Sequence, residues 1–326
     1  MYRLFFIAGA LLCSFAAGGA QSDGGDAAQF PRRPIRFVIG FTPGGGPDIT
    51  ARFIGQKLAG RWHQQVVTDN RPGAGGTIAA NIVATANPDG YTLLSVSNAH
   101  AVAAAIYAKL PYDTVKDFAG ITMTASGPAL LLVSPSIGVK SAKELIALAK
   151  TRPGQLNYSS AGVGSGAHFA AELFKNMAGI DVVHVPFKGI PEAITETISG
   201  RVQFFLSPLA SALNLVREGR ALAIGVSGVK RAPQLPELPT IAESGLPGYR
   251  FDYWYGMLAP AKTPRAIVEK LNHEITGIMQ SEDVRSRWSA LGVEPAPMTP
   301  QAFDQWIRDD IATSVKLARA ANIKAD

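Results

Sequence analysis

The chain has 326 residues, one cysteine, 17% charged residues and a formal net charge of +6. That length exceeds one typical small domain and is enough for two lobes with sizeable cores. The basic excess is mild and scattered, which suits an anionic small molecule and argues against nucleic acid as a partner.

The first residues are Met1-Tyr2-Arg3, an apolar stretch from Leu4 to Ala17, and Gly18-Gly19-Ala20 before Gln21. A charged start, an apolar run shorter than the about 20 residues of a membrane span, and small residues at its end read as an export signal cleaved near Ala20. Lipid attachment at Cys13 is disfavoured because Leu12 precedes it, where a small residue is wanted. Cleavage would remove Cys13 and Arg3, lowering the net charge by one to +5 and excluding disulfide, sulfur redox and thiolate-metal chemistry in the mature chain.

Beyond the signal, strand and helix patterns alternate. Arg36 to Phe41 predicts a short apolar strand, Thr42-Pro43-Gly44-Gly45-Gly46-Pro47-Asp48 a loop, and Ile49, Phe53, Ile54 and Leu58 a helix. A second unit runs from strand Gln65–Thr68 through Asn70-Arg71-Pro72-Gly73-Ala74-Gly75-Gly76 into a helix over Thr77–Ala84. The third has strand Tyr91–Val96, loop Ser97-Asn98-Ala99-His100 and an Ala-rich helix to Tyr107. Ala129–Val133 predicts a strand crossing between lobes, followed by a helix near Ser141 to Lys150. The fourth unit has strand Leu156–Ser160, loop Ala161-Gly162-Val163-Gly164-Ser165 and a helix carrying Phe169, Leu173 and Phe174, with Ser165 placed to cap it. In the fifth, strand Val182–Phe187 leads through Lys188-Gly189 into helix Pro191–Ile198. Strands follow at Val202–Leu206 and Ala221–Val226, with Ser207-Pro208 opening a helix between them.

Such alternation predicts an α/β protein with mainly parallel sheets, and ligands in such sheets bind beyond the carboxyl ends of the strands. Glycines there free backbone N–H groups, and the helix that follows adds its positive dipole end, so the loops favour a carboxylate or phosphate. The first loop lacks the Gly-Lys-Ser/Thr of a nucleotide phosphate loop, and Ile49 stands where a dinucleotide fingerprint needs its third glycine. No nucleotide cofactor is therefore expected. The five histidines, His63, His100, His168, His184 and His273, form no zinc motif. Ser165 lacks the flanking glycines of a nucleophile elbow. A secreted hydrolase pairing Ser165 or Ser97 with His100 or His168 is the rival reading from another class. By position, His100 is a cleft-lining candidate and Lys188 could neutralise a carboxylate, although lysines there are more often solvated. Asp48 reads as the loop's anchor, since a carboxylate facing an anion would repel it. Trp254 and Tyr255 read as core or hinge residues.

Several motifs in order resemble one family. Arg33-Pro34-Ile35-Arg36 through Pro43 to Arg52, then Asn70 to Gly76, Pro88-Asp89-Gly90-Tyr91-Thr92-Leu93, and Leu110 to Asp113 leading to Lys116-Asp117-Phe118 carry the resemblance. It continues through Leu156 to Ser165, His184 to Gly189 and Leu238 to Glu243. The chain resembles the tripartite tricarboxylate transporter solute receptors of the Bug or TctC type over essentially its whole mature length. The resemblance implies a type II periplasmic binding protein: a monomer of two lobes joined by crossing strands, without enzymatic activity, cofactor or metal. Lobe 1 would comprise residues 30–128 and 227–326, and lobe 2 residues 129–226. The implied ligand is a small dicarboxylate, tricarboxylate, amino acid or aromatic acid, handed to the permease subunits of a membrane transporter. A sensor acting on a membrane signalling partner would use the same chemistry. Implied site residues are Thr42, Pro43, Gly44, Gly45, Gly46 and Asp48 in the gripping loop. Gly75, Gly76, Ser97, Asn98 and His100 would add the rest of that lobe's wall, facing Gly162, Gly164, Ser165, Lys188 and Ser207. Phe187, where the family commonly has tyrosine, and Lys262, where it commonly has glycine, depart from the pattern.

Overall fold

The computed structural model describes residues 24–320 and 322–324; the expected export signal, with Cys13, lies outside them. The chain starts with α1 (Gly24–Gln29), β1 (Ile35–Ile39), α2 (Gly46–Trp62), β2 (Val66–Asn70), α3 (Thr77–Ala84), β3 (Thr92–Ser97) and α4 (Ala99–Ile106). The long strand β4 (Phe118–Val133) leads to α5 (Ala142–Thr151), β5 (Asn157–Ser160), α6 (Gly166–Ala178), β6 (Val183–Pro186) and α7 (Ile190–Ile198). Next come β7 (Phe204–Pro208), α8 (Leu209–Arg217), β8 (Leu222–Val226) and β9 (Asp252–Pro260). The last elements are α9 (Arg265–Met279), α10 (Glu282–Ala290), β10 (Glu294–Pro295) and α11 (Pro300–Ala320).

Local chemistry explains these boundaries. Ile35, Phe37, Val38 and Ile39 are buried on both faces of β1, as a parallel strand between helix layers must be. Ser165 Oγ accepts from His168 N at 3.2 Å and caps α6, which ends at Gly179 in the left-handed region at φ 59°. Ser141 caps α5 in the same way, accepting from Glu144 N at 3.2 Å, while Glu144 reaches back to accept from Lys140 N at 2.8 Å.

In the first lobe, β2, β1 and β3 run parallel and β9 lies antiparallel beside β3. In the second, β6, β5 and β7 run parallel. β4 belongs to both: residues 118–128 pair with β9, and residues 129–133 pair with β7 on one side and β8 on the other. The predicted crossing strand is thus extended toward the N-terminus by eleven residues, through Gly127 and Pro128. Two expected loops are also shorter. Ser207 and Pro208 complete β7, and α4 starts at Ala99, so His100 stands in a helical first turn.

The chain crosses back near Phe251. Residues 227–250, expected in lobe 1, also contact lobe 2: Lys143 N donates to Ser244 O at 2.8 Å and Tyr249 Oη to Ala170 O at 2.9 Å, while Gln234 Nε2 donates to Ser289 O of α10 in lobe 1. Ser227 ties the two crossings together. Its hydroxyl accepts from Ala129 N at 2.7 Å and donates to Phe251 O, and its own N–H donates to Ala129 O at 2.9 Å.

Lobe 2 also stacks two imidazoles, His168 buried and His184 half-buried. His168 and His184 lie 4.2 Å apart between ring centroids, with Tyr158 against His184 at 4.9 Å. His184 Nε2 bonds Ser160 Oγ at 2.6 Å, and His168 Nδ1 accepts from Gly164 N at 3.3 Å. Burial brings His168 down to about 4; burial, then the charges of His168 and Lys175, bring His184 down to about 3.

Two outcomes follow from this architecture. Ser227→Ala should lower unfolding free energy by about 1–3 kcal/mol in urea titration, because buried backbone groups lose their partner; an unchanged midpoint would contradict the hinge pin. Each stacked histidine binds its proton more weakly folded than unfolded, so stability is full above the ordinary histidine pKa of about 6.5. It falls as pH drops from there toward about 3–4, where the folded state also protonates. Thermal melting at stepped pH should show this fall, and His184→Asn should flatten it; an equally steep slope in the variant would refute the assignment.

Candidate functional site

The carboxyl ends of β1, β3, β5 and β7 face one narrow interlobe cavity. Phe41, Gly45, Gly46, Pro47 and Ser97 line it from the first lobe. Ala161, Ser165, Gly166, Ala167, Ile190 and Pro208 line it from the second. Tyr253 and Tyr255 on β9 complete the floor, so no carboxylate, ammonium, guanidinium or imidazole reaches the wall among the described residues.

Four helices begin at this cavity: α2 from the first lobe, and α6, α7 and α8 from the second. The N-cap positions of α2, α7 and α8 are Gly45, Gly189 and Pro208, none of which supplies a side-chain cap. First-turn N–H groups, such as those of Gly46, Gly166, Ala167 and Ile190, have no acceptor within their own helices. Their dipoles add positive potential where the walls are otherwise neutral. The arrangement can hold an anion without a cationic side chain.

Asp48 shapes the first loop from behind. It is 3% exposed, and its carboxylate accepts from Gly44 N at 3.0 Å, Asn70 Nδ2 at 2.9 Å and Arg52 Nε at 3.0 Å. Burial pushes its pKa up most strongly as a single influence, but Arg52, Gly44 N–H and Asn70 together hold it below the ordinary value. Asn70 also donates to Phe41 O at 2.9 Å, fixing the start of the loop. Gly44 needs φ +90°, and a Cβ on Gly46 would stand 2.1 Å from Tyr255 Cζ. Any larger residue at position 46 would displace the cavity floor.

The lobes touch across the rim. Thr42 Oγ1 donates to Glu192 Oε2 at 3.2 Å, and Ser211 Oγ to Gly44 O at 3.4 Å. A Cβ on Gly189 would lie 1.7 Å from Thr42 Oγ1, and one on Gly75 would lie 2.4 Å from Val163 O. Gly164 is packed against Ile106 and Tyr107 of the other lobe. These glycines permit a closed cleft.

The remaining sequence candidates have varied placements. Gly75, Gly76 and His100 line a small adjoining hollow, which shares Phe41 and Ser97 with the main cavity. His100 Nε2 donates to Thr114 O at 2.9 Å, and burial lowers its pKa to about 4, so it is a neutral packed ring. Asn98 is spent on β9, donating to Asp252 O at 3.2 Å and accepting from Trp254 N at 2.9 Å. Ser207 is fully buried and donates to Pro208 O at 3.1 Å. Gly162 turns the β5–α6 loop at φ +108°. Pro43 is exposed at the rim, and Lys188 is exposed and outside the cavity wall.

Neither serine of the hydrolase reading meets a histidine ring: Ser165 Oγ binds a backbone N–H, and Ser97 Oγ accepts from Ala99 N at 3.4 Å. Tyr253, Tyr255, Phe41, Gly166, Ala167 and Ile190 are among the wall residues missed from sequence. The Tyr253-Trp254-Tyr255 alternation was the available signal, since a period of two sends both tyrosines to one face.

Comparison with known proteins agrees with this geometry. The sequence pattern of the tripartite tricarboxylate transporter family receptor matches residues 50–323. Protein BugT of Bordetella pertussis is 31% identical over 326 residues, covering 99% of each chain. The structure of R. palustris Rpa4515 with adipate superposes with a TM-score of 0.88 at 35% identity, covering 90% of this chain and 99% of that one. MatC (Rpa3494) from Rhodopseudomonas palustris with bound malate gives 0.84 at 32% identity, covering 88% and 99%. A two-lobed α/β fold, an interlobe cavity walled by helix N-termini and a full-length match to solute receptors rather than enzymes agree: the chain belongs to the tripartite tricarboxylate transporter receptor family, the Bug or TctC type of solute-binding protein.

Proposed function

We propose that this protein is a periplasmic receptor that closes over a small carboxylate and delivers it, unchanged, to the permease subunits of a tripartite transporter. The observation that carries the reading is the convergence of four helix N-termini on one cavity with neutral walls. Adipate and malate in the similar structures supply independent support for a carboxylate. One carboxylate oxygen pair would meet the α2 loop, and the rest of the molecule would contact lobe 2 and the tyrosine floor. Phe41 and Ile190 supply apolar contacts for the ligand body.

The lobes divide best as residues 30–128 with 251–326 and, between them, residues 129–250. The β4 pairing switch at Pro128/Ala129 and the contacts of residues 227–250 support that division. Closure would then be a rotation about the two segments that Ser227 pins, with Thr42, Gly44, Gly75, Gly164 and Gly189 meeting their opposite lobe at the end of the movement.

Thermal shift against a panel of dicarboxylates, tricarboxylates, amino acids and aromatic acids tests the ligand class. A binder at about 100 times its Kd should add about 2.7 kcal/mol of stability; shifts from cations or neutral sugars alone would overturn the reading. Gly45 has an ordinary φ of −76°, and a Cβ there would meet Ile190 at 3.8 Å across the cleft. Gly45→Val should therefore abolish carboxylate binding with little loss of stability, and calorimetry showing wild-type affinity would remove the loop from the site. Gly189→Ala should weaken binding by about tenfold or more through a clash made only on closure, and Thr42→Gly should restore it; an additive loss in the double variant would refute closure at this contact. Uptake of the identified solute should fail when the partner permease is deleted, whereas unaffected uptake would leave transport without support.

A further inference from the structure

Away from the cleft, a groove of about 430 Å³ lies between the lobes, and its chemistry is the opposite of the cleft's. α11 forms one wall with Trp306, Asp309, Asp310 and Ser314; Val102 of α4, Phe169 and Leu173 of α6, and Trp254 of β9 form much of the rest. Arg250 also borders it, but its guanidinium is paired with Asp252 at 3.0 Å. Asp309 and Asp310 have no cationic partner of this kind among the described residues. Asp309 accepts only the neutral Gln305 amide, at 2.9 Å, and Asp310 the Trp254 indole N–H, at 2.8 Å. Burial pushes the Asp310 carboxyl above its usual range, as expected for a charge lacking compensation.

Deeper in the groove sits Ser314, 3% exposed, with no hydrogen-bond partner for its hydroxyl among the described residues. A hydroxyl without a protein hydrogen bond beside an under-compensated carboxylate leaves an acceptor and a charge free for a ligand. Trp306 is 42% exposed at the mouth, an aromatic face available to a cation and to the apolar body that carries it.

We propose that this groove binds a small organic cation, a protonated amine on an aromatic or aliphatic body. Asp310 and Asp309 meet its charge, Ser314 accepts one of its N–H groups, and Trp306, Trp254 and Phe169 enclose its body. A small molecule fits better than a protein partner because Ser314 is only 3% exposed, too little for a protein surface to reach. The proposal is independent of what the cleft holds.

The test uses the mature protein at neutral pH and three probes of one shape: 2-phenylethylammonium, 2-phenylethanol and phenylacetate. Calorimetry and tryptophan fluorescence follow binding; Trp254 and Trp306 are two of the chain's four tryptophans. Saturable binding of the ammonium alone is expected. Asp310→Asn should weaken it by about tenfold or more, the loss of a charged hydrogen bond. Asp309→Asn, at an exposed position that cannot threaten folding, should weaken it severalfold, and Ser314→Ala likewise. Gly45→Val, which obstructs the cleft, should retain saturable ammonium binding and so separates this site from the carboxylate site. The proposal is overturned by absence of saturable ammonium binding, by equal binding of the alcohol, by wild-type affinity in both aspartate variants, or by loss of binding in Gly45→Val.

Discussion

The arrangement depends on one strand hydrogen-bonded in two sheets. β4 gives residues 118–128 to the first lobe and 129–133 to the second without leaving the extended conformation. Both sheets are thereby fixed to a common axis, and the Ser227 hydroxyl ties the returning chain to the same point. Once β4 is set, β9 and β7 lie on its two halves, β3 follows beside β9, and the carboxyl ends of β3 and β7 turn toward one cavity. The helices that follow must begin there, because a short βα loop leaves them nowhere else to start.

This geometry explains how an anion can be held by walls with no cationic side chain. Desolvating a carboxylate is costly unless its oxygens find hydrogen bonds at once. Lysine or arginine would supply them on long rotamer-rich stems that must be ordered on binding, whereas first-turn amides are already fixed by the helices. Asp48 adds to that rigidity. It spends its acceptors on Gly44, Asn70 and Arg52, so its charge is neutralised from behind and the loop's free N–H groups face forward. The lobes supply these donors from opposite sides, so a ligand meeting both sets would require a closed cleft.

Much of this was legible in the chain. Apolar runs ending in glycine-rich loops located the βα units, and Ser165 was recognisable as a cap from its position before a helical pattern. What failed was side-chain direction. Asn98 and His100 stand in a loop-like sequence at a strand end, but Asn98 matches the β9 backbone and His100 finds the Thr114 carbonyl, contacts spanning 154 and 14 residues. Such partners are set by tertiary packing, which no local pattern encodes. Lys188 is exposed outside the cavity wall, where a long charged side chain gains more from solvent than from a neutral cavity. The early half of β4 was hidden by Gly120, Gly127 and Pro128, residues that punctuate most strands. Here they are tolerated where close neighbours or the lobe junction demand them; a Cβ on Gly120 would stand 2.5 Å from Asp304.

β9 shows why the cleft and the lateral groove belong to one mechanical unit. Its period of two sends Tyr253 and Tyr255 to the cavity floor and Trp254 to the groove wall. Tyr253 Oη donates to Leu206 O at 2.7 Å in lobe 2, while the Trp254 indole is held by Asp310 in lobe 1. Neighbouring residues on one strand are thus anchored in different lobes. The groove has walls on both as well, with Phe169 and Leu173 on α6 opposite α4 and α11. Rotation about the Ser227 pin would change the two hollows together, so an occupant that fits one closure angle better than another must act on the other hollow's affinity by the same factor.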